Sequence, residues 1–355
     1  MIILNQFITQ IYQNYIQNQP YPNVPEKDSI LAKTLTPEIY DKMKKIEDKS
    51  GFSFQQLIGY KRTQKQLKSG QISQIQAGSS DSYNAFKEFL DQVVEQYHNF
   101  KPQDHQKNTW GDLESLELQD LNQKHHEEFL LSMNISLVRN INNHSFPAGM
   151  TCWQRKKFEE NIKKIIGENL KDLKYFSLKD LKGKKNYGFE QKNLQYEDHG
   201  RFETGRGVFV NEEENFIVWV NENDQLTFKS FEKGGNFKKC IQRLIDYIKA
   251  LKNIDFAYSE RFGFLSGNPA NLGTGITFEF IVKIPWECKD QELLKKNLHK
   301  AGLEGKKLEK EEDVYKIWNQ KKLGLSENQL ITDIYNAINS VIQNEKFARS
   351  SRYNE

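Results

Sequence analysis

The chain has 355 residues, of which 37% are hydrophobic and 28% are charged. This length allows one large domain or two moderate ones, with ample apolar material for a core. The 51 basic and 48 acidic residues nearly cancel, leaving a formal net charge of +3, which argues against a dedicated nucleic-acid-binding protein. No apolar run approaches the roughly 18–20 residues of a membrane-spanning helix, so the sequence predicts neither a nucleic-acid nor a membrane partner.

The cysteines and the first residues indicate the compartment. Cys152, Cys240 and Cys288 lie far apart and form no CxxC pair, which predicts free thiols rather than a disulfide framework or a zinc site. The N-terminus lacks the basic segment and cleavage site of a secretory signal and the arginines of a mitochondrial transit peptide. We therefore expect an intracellular protein.

An amphipathic helix is predicted within residues 1–19. Its apolar stripe runs from Ile3 to Ile16 at helical spacing, and the prolines at 20 and 22 end the pattern. Two hypotheses stay open for this helix. It either packs on its own domain or enters the groove of a partner protein as an anchor.

The rest of the first hundred residues is also predicted to be mainly helical. A helix over 37–46 has Thr36 as its N-cap. Another covers 82–98 with Asp81 at its start, and the polar, glycine-containing segment 60–78 indicates a loop with room for one short helix.

Strands are predicted only after residue 128, beyond a polar linker over 101–123. Alternating or continuous apolar patterns predict strands at 216–220, 226–231 and 276–284. Apolar residues spaced three and four apart predict helices at 154–166, 237–251 and 327–341. Because no regular βαβ repeat is present, the pattern favours an α+β fold with a largely antiparallel sheet.

Three short segments allow a chemical as well as a structural interpretation. The glycine-containing segment 271–275 could be a phosphate loop or a tight turn, but it lacks the Lys-Ser/Thr of a Walker motif. The segment 233–236 could bind an anion or simply connect a strand to a helix capped by Asn236. Glu222 and Asp224 at a strand end could bind Mg²⁺ or form a hairpin turn.

Several segments, in chain order, resemble the phosphagen kinases, the ATP:guanidino phosphotransferases that include arginine and creatine kinase. They are LAKTLTPEIY at 31–40, GF at 51–52, SFP at 145–147, RGVF at 206–209, VWVNEND at 218–224, KGGN at 233–236, PANLGTG at 269–275 and LGLSE at 323–327. The match is collinear over residues 20–345. It implies a small all-α N-terminal domain at 20–105 and a larger domain at 125–350, with an antiparallel sheet flanked by helices as in the guanidino kinase and glutamine synthetase-like folds.

The resemblance also locates the family's phosphate-binding arginines, which clamp the nucleotide for transfer and are therefore most of the catalyst. All five fall on other residue types here: Asn134, Ser136, Thr227, Thr277 and Ala301. Each charge-assisted bond of this kind contributes about 1.5–3 kcal/mol. The resemblance therefore implies that most of the affinity for ATP is lost.

The guanidino side of the site departs from the family pattern as well. The presumed catalytic base is replaced by Asn223, an amide that cannot accept a proton at neutral pH. The family's reactive cysteine is Asn268. What remains of the pattern is Ser132, Glu222 and Asp224, so we expect no catalytic residue and no bound cofactor or metal.

The leading hypothesis is a catalytically inactive relative that binds protein partners in a large assembly such as the ciliary axoneme. An alternative is an active, arginine kinase-like enzyme that uses ATP and Mg²⁺, with Lys283, Lys306 or Lys322 replacing the lost arginines. Lysine is a point charge without the bidentate fork of arginine, which weakens this alternative. A further alternative is a module that binds a guanidino compound or another ligand without turnover.

Overall fold

A computed structural model describes residues 20–22, 24, 29–59, 75–111, 118, 121, 129–181, 204–309 and 311–351. The predicted helix within 1–19 and most of the predicted loop at 60–78 lie outside these residues. The described parts of the linker, chiefly 101–111, contain neither helix nor strand.

The N-terminal part is helical. Its helices within 29–111 are Ile30–Thr34 (α1), Pro37–Met43 (α2), Phe54–Leu57 (α3), Ser82–Ala85 (α4) and Lys87–His98 (α5). The predicted cap at Thr36 is confirmed, since its side chain accepts a hydrogen bond from the Ile39 amide at 3.2 Å. The prediction of one helix over 82–98 is wrong, because Phe86 leaves helical geometry at φ −107° and ψ 28°. Its buried ring packs on Phe54, with centroids 5.7 Å apart.

Two further helix predictions in this part need correction. Helix α2 ends at Met43 rather than at 46. Asp81 does not cap a helix through its side chain. Its carboxylate accepts instead from the Lys49 amide at 2.9 Å, so it ties two loops together.

The larger part contains an eight-stranded sheet. Its strands are Leu130–Arg139 (β1), Lys174–Ser177 (β2), Gly207–Val210 (β3), Phe216–Val220 (β4), Leu226–Lys233 (β5), Ile276–Lys283 (β8), Leu303–Lys307 (β9) and Val314–Asn319 (β10). The order is β2-β3-β4-β5-β1-β8-β10-β9, and every neighbouring pair is antiparallel. A small hairpin joins Tyr258–Ser259 (β6) to Gly263–Phe264 (β7). The predicted α+β class with an antiparallel sheet is confirmed.

Helices accompany the sheet. They are Cys152–Asn169 (α6), Leu178–Leu181 (α7), Phe237–Ala250 (α8), Gln291–Lys300 (α9) and Glu327–Ser351 (α10). Asn236 caps α8 as predicted, accepting from the Lys239 amide at 3.1 Å. Helix α10 continues well past its predicted end at 341. In this added part, the fully buried Glu345 accepts hydrogen bonds from the backbone amides of Trp286 and Glu287.

One face of the sheet is covered, and the second face is open only in part. On the second face, a small separate core is formed with Leu178 of α7 by Val208, Val210, Ile217 and Trp219 of β3 and β4. The open face is the remaining part, at β1, β5, β8, β10 and β9.

On the covered face, alternate strand residues such as Ile135, Phe278 and Phe280 share a core with side chains from α6, α8, α9 and α10. Phe237 of α8 stacks on Phe278, with ring centroids 5.6 Å apart. A second core belongs to the N-terminal helices and is completed by residues of the larger part, including Phe262, Leu265 and Leu272. The two parts therefore share a core, and the site lies where the open face meets it.

Candidate functional site

The open face of the sheet brings together four of the five positions that the family resemblance assigns to phosphate arginines. Ser136 of β1 stands directly opposite Thr277 of β8, and Asn134 stands opposite Glu279. Thr227 of β5 pairs with Val138 of β1, two residues beyond Ser136. Because directly paired residues of antiparallel strands point to the same face, these side chains form one polar strip.

A carboxylate lies in the middle of this strip. The Asn134 amide donates to Glu279 Oε2 at 2.8 Å and to Ser136 Oγ at 3.2 Å. The other oxygen of Glu279 forms an ion pair with Lys316 of β10. Burial alone would raise the pKa of Glu279, but Lys316, the Asn134 amide and the charge of Lys229 outweigh it and lower the pKa. Glu279 is therefore ionised at neutral pH, and its two oxygens are engaged by Asn134 and Lys316.

The fifth arginine position is Ala301, and Ser132 is the serine that the resemblance gives as a remnant of the site. Ala301 follows the last residue of α9 and packs partly buried against the sheet core, with Gly302 at φ 70° leading into β9. Ser132 is half-buried at the start of β1, opposite Lys233 and Ile281. It shares the face of Asn134 and Ser136 because it lies two residues before Asn134.

The segment 221–225 is a hairpin turn. Asn221 has a φ of 57°, and its amide donates to the Gln225 carbonyl at 2.9 Å. Asp224 is fully buried, and its carboxylate accepts from Asn140 Nδ2 at 2.6 Å, Ser266 Oγ at 2.8 Å and the Gly267 amide at 2.7 Å. Burial raises the pKa of this carboxyl, while these bonds act in the opposite direction.

The hairpin interpretation of this segment is therefore correct, and the magnesium interpretation is not supported by the donor set. The Asp224 oxygens already accept from three protein donors in two segments of the chain. Glu222, half-buried at the tip of the turn, is left as a single carboxylate. Asp224, expected as a remnant of the site, instead holds the 265–267 segment in place.

The two amides on the guanidino side make different contacts. Asn223 accepts a hydrogen bond from Gln76 Nε2 at 3.3 Å, so its partner comes from the N-terminal part. Asn268 accepts from the Ala270 amide at 3.0 Å and caps the short 3₁₀ turn Pro269–Asn271. The side chain of Asn268 is thus engaged with its own backbone.

The glycine-containing segment 271–275 is a tight turn that leads into β8. Gly273 and Gly275 have φ values of 90° and 66°. The fully buried Arg139 lies over the Phe264 ring at 3.5 Å, and its Nη1 donates to the Thr274 carbonyl at 2.8 Å. Burial lowers the pKa of Arg139 to about 9. The guanidinium retained here is therefore a structural brace of the turn.

The three lysines considered as substitutes occupy different places. Lys322 is buried, with its Nζ 2.7 Å from Asn271 Oδ1, and burial lowers its pKa to about 8. Lys283 is exposed at the end of β8, six positions and about 20 Å from Thr277 at the usual strand rise. Lys306 is exposed on β9, directly opposite Lys316. Both Lys283 and Lys306 lie on the open face, Lys283 because it shares the alternation of Thr277 and Glu279.

Sequence reasoning did not find Glu279, Lys316 or Gln76. Glu279 could have been found, since it shares the alternation of Thr277 on the predicted strand. Lys316 and Gln76 meet their partners across long sequence separations, and the sequence carries no local signal for either contact.

The described residues hold no helix long and apolar enough to cross a membrane. In the same residues, no group of three or more His, Cys, Asp and Glu side chains is arranged to hold a metal ion. Cys152, Cys240 and Cys288 are all free thiols, of which Cys152 is exposed.

Comparison with known proteins agrees with the fold. The family model for the ATP:guanido phosphotransferase C-terminal catalytic domain matches residues 154–348, and the model for the N-terminal domain matches residues 25–95. The chain is 30% identical over 340 residues to arginine kinase of Limulus polyphemus, covering 90% of this chain and 93% of that one. It is also 30% identical over 341 residues to arginine kinase of Plodia interpunctella, covering 90% and 94%.

A solved structure gives the same result. The substrate-free duplicated taurocyamine kinase of Schistosoma mansoni superposes with a TM-score of 0.79 at 25% identity, covering 95% of this chain. This chain spans 49% of the length of that duplicated protein. The C-terminal family model matches more than half of the chain and the arginine kinases align over 90% of it, and the chain belongs to the ATP:guanido phosphotransferase family, the phosphagen kinases.

Proposed function

We propose that this chain is a phosphagen kinase relative without phosphotransferase activity that serves as an interaction component of a large protein assembly. The observation that carries the proposal is the chemistry of the open face. Amide and hydroxyl side chains stand at four of the five positions that the resemblance assigns to the family's arginines, and the Glu279 carboxylate lies among them.

Electrostatics makes this face a poor phosphate site. The triphosphate of ATP needs cations that approach it with several directed donors. Here Lys316 is already paired with Glu279, and a phosphate placed on the strip would face that carboxylate as a like charge. The loss of the arginines and the presence of Glu279 act in the same direction, and both lower the affinity for nucleotide.

The alternative of an altered kinase rests on the relatives, which are named arginine kinases. It requires lysines that reach the phosphate positions. Lys322 is buried against Asn271, and Lys283 is about 20 Å from Thr277. Lys306 lies on the open face at the edge strand β9, and one ammonium group does not replace a set of bidentate guanidinium groups.

A thermal-shift titration with MgATP tests the loss of nucleotide binding. A ligand at 100 times its Kd stabilises a folded protein by about 2.7 kcal/mol, a shift of several degrees for most domains. We expect a shift below about 1 °C at several millimolar MgATP, because the Kd then lies at or above the ligand concentration. Arginine kinase of Limulus polyphemus is the positive control. A saturable rise of several degrees, or arginine-dependent ATP consumption, would support the altered kinase instead.

The assembly role needs its own test, and the ciliary axoneme is the setting to test first. A tagged chain should remain with detergent-extracted axonemes in ciliated cells if it is a fixed component. Deleting residues 1–19, where the sequence predicts an amphipathic helix, should release the chain while leaving its Tm unchanged. Recovery of the full-length chain in the soluble fraction would contradict the proposed setting, and a large drop in Tm would show that the deleted segment packs on its own domain.

A further inference from the structure

The N-terminal part and the sheet meet at a seam that passes through the guanidino side of the site. Gln76 lies in this seam, 4% exposed, and its Nε2 donates to Asn223 Oδ1 at 3.3 Å. The two residues come from different parts of the molecule, 147 positions apart. The bond therefore joins the helical part directly to the turn that carries the position of the family's base.

Further hydrogen bonds hold the backbone around Gln76 in place. The Ala77 amide donates to the Gly267 carbonyl at 2.7 Å, and the Phe146 amide donates to the Gly78 carbonyl at 2.7 Å. Tyr83 Oη donates to the Ser266 carbonyl at 2.7 Å. Residues 76–78 are thus bonded on one side to the 266–267 segment and on the other to Phe146.

The turn that carries Asn223 is fixed as tightly. Asp224 binds Ser266 Oγ and the Gly267 amide, which couples the turn to the same segment that Ala77 contacts. A Cβ atom added at Gly267 would lie 2.8 Å from the Asn223 carbonyl oxygen, so the backbones approach too closely for any larger residue. The amide of Gln76 and the amide of Asn223 consequently face each other across a closed seam.

The chemistry of this pair resembles the contact that the site has lost. By the family resemblance, a carboxylate at position 223 would accept an N–H from a guanidino substrate. A glutamine amide offers the same planar N–H donor without charge, and an asparagine oxygen accepts it without requiring a cation. A neutral donor and a neutral acceptor satisfy one another at low cost in a buried place, whereas a lone carboxylate would need a cation there.

We propose that the side chain of Gln76 takes the place of a substrate's guanidino group. It occupies the guanidino subsite beside Asn223 and holds the two parts of the molecule together without a ligand. The inference rests on the proposed function, because an active enzyme would need this subsite for substrate. It adds a reason for the loss of chemistry, since a permanent internal ligand makes the shape of the molecule independent of metabolite levels.

Hydrogen exchange of the full chain tests the proposal. Gln76→Ala removes the donor, and Gln76→Met keeps the length of the side chain in case the alanine variant folds poorly. In either variant we expect exchange of the backbone amides at 76–78 and 265–268 to accelerate about two- to tenfold, the range that one neutral hydrogen bond supplies to a local opening equilibrium. Gln55→Ala is the matched control, because its amide donates to the Lys44 carbonyl at 2.8 Å within the helical part.

A double variant separates the proposed contact from general packing. Asn223→Ala alone should accelerate exchange at the seam, and Gln76→Ala added to it should accelerate exchange no further, because both changes break the same bond. Additive effects of the two changes, or unchanged exchange in Gln76→Met, would overturn the proposal.

The guanidino subsite is tested with L-arginine. In Gln76→Ala combined with Asn223→Glu, the donor is absent and the carboxylate restored, so millimolar L-arginine should slow exchange at the seam again. The same L-arginine should leave the wild-type chain unaffected. Protection of the wild-type chain, or none in the double variant, would overturn the substitute role. The MgATP titration measures nucleotide binding independently, so the two proposals can fail separately.

Discussion

The two faces of the sheet differ although the same strands build both. Along β8, Phe278 and Phe280 are at most 1% exposed on the covered face, while Thr277 and Glu279 between them are only partly buried. The covered face is held by close packing, in which a change of one methylene is felt. The open face at β1, β8 and β10 is held by hydrogen bonds and by the ion pair of Glu279 with Lys316, and other polar residues can replace such contacts. Along one strand, the residues that stabilise the fold therefore alternate with the residues of the candidate site. Residues of one set can change without a change in the other.

This separation explains how a family fold persists around an altered site. Asn134, Ser136 and Thr277, which the family resemblance places at arginine positions, lie away from the packed side of β1 and β8. Asn134 and Ser136 belong instead to a polar network around Glu279. The comparison predicts that the stability of the chain depends on the covered face and that substitutions on the open face are tolerated.

The largest effect is expected for a neighbouring pair of substitutions on opposite faces. Phe278→Ala should lower the free energy of unfolding by about 3–5 kcal/mol, because it leaves a cavity against Phe237 and the surrounding core. Thr277→Ala, one residue away, should stay within about 1 kcal/mol of wild type. Urea unfolding measures both, and equal costs would show that the two faces are not held differently.

Asp224 is an exception that sharpens the comparison, since it belongs to the family's site pattern yet is buried. Asp224→Ala should lower the free energy of unfolding by about 3 kcal/mol, because Asn140, Ser266 and Gly267 lose their shared acceptor. Glu222→Ala, at the half-buried tip of the same turn, should cost less than about 0.5 kcal/mol. If Mg²⁺ stabilised the wild-type chain but not Asp224→Ala, the carboxylate would be a metal ligand after all.

Much of this architecture could be predicted from the sequence, because it depends on local patterns. The alternation at 276–284 predicted β8, and Asn236 predicted the start of α8. The altered arginine positions came from the family resemblance, since no periodicity marks a missing side chain. Contacts such as Asn134 with Glu279, 145 residues apart, depend on strand register and could not be predicted locally.

The errors in helix bounds have the same origin. The break at Phe86 follows from the packing of its ring on Phe54, a tertiary contact that overrides local propensity. The continuation of α10 past 341 depends on Glu345, a buried carboxylate that no apolar pattern indicates. In both places, the difference from the predicted bounds accompanies a contact with a residue distant in the sequence.

A smaller effect is expected from the ion pair on the open face. Lys316→Met should lower stability by about 1 kcal/mol, because it leaves the partly buried Glu279 without its cation. The difference from wild type should shrink in 0.5 M NaCl if screening of the exposed lysine dominates. Lys306→Met, opposite it on exposed β9, is the control and should change stability little. A loss as large as that of Phe278→Ala would contradict the tolerance assigned to this face.

The smallest expected effect concerns Glu287, which lies in the short 3₁₀ turn Glu287–Lys289 and whose backbone amide donates to Glu345 of α10. Burial and the nearby charge of Glu345 raise the pKa of Glu287 to about 7. A carboxyl group whose pKa is raised on folding stabilises most at low pH, and this contribution is lost as pH rises through the folded pKa. Glu287→Gln, which mimics the protonated acid, should therefore match wild type near pH 4.5 and exceed its Tm by about 1–2 °C at pH 8, after allowance for solvent screening of this half-buried group. Glu311→Gln, on an exposed side chain, controls for the change in net charge. A difference from wild type that stays constant between pH 4.5 and 8 would show that the end of α10 is held by packing alone, like the face it covers.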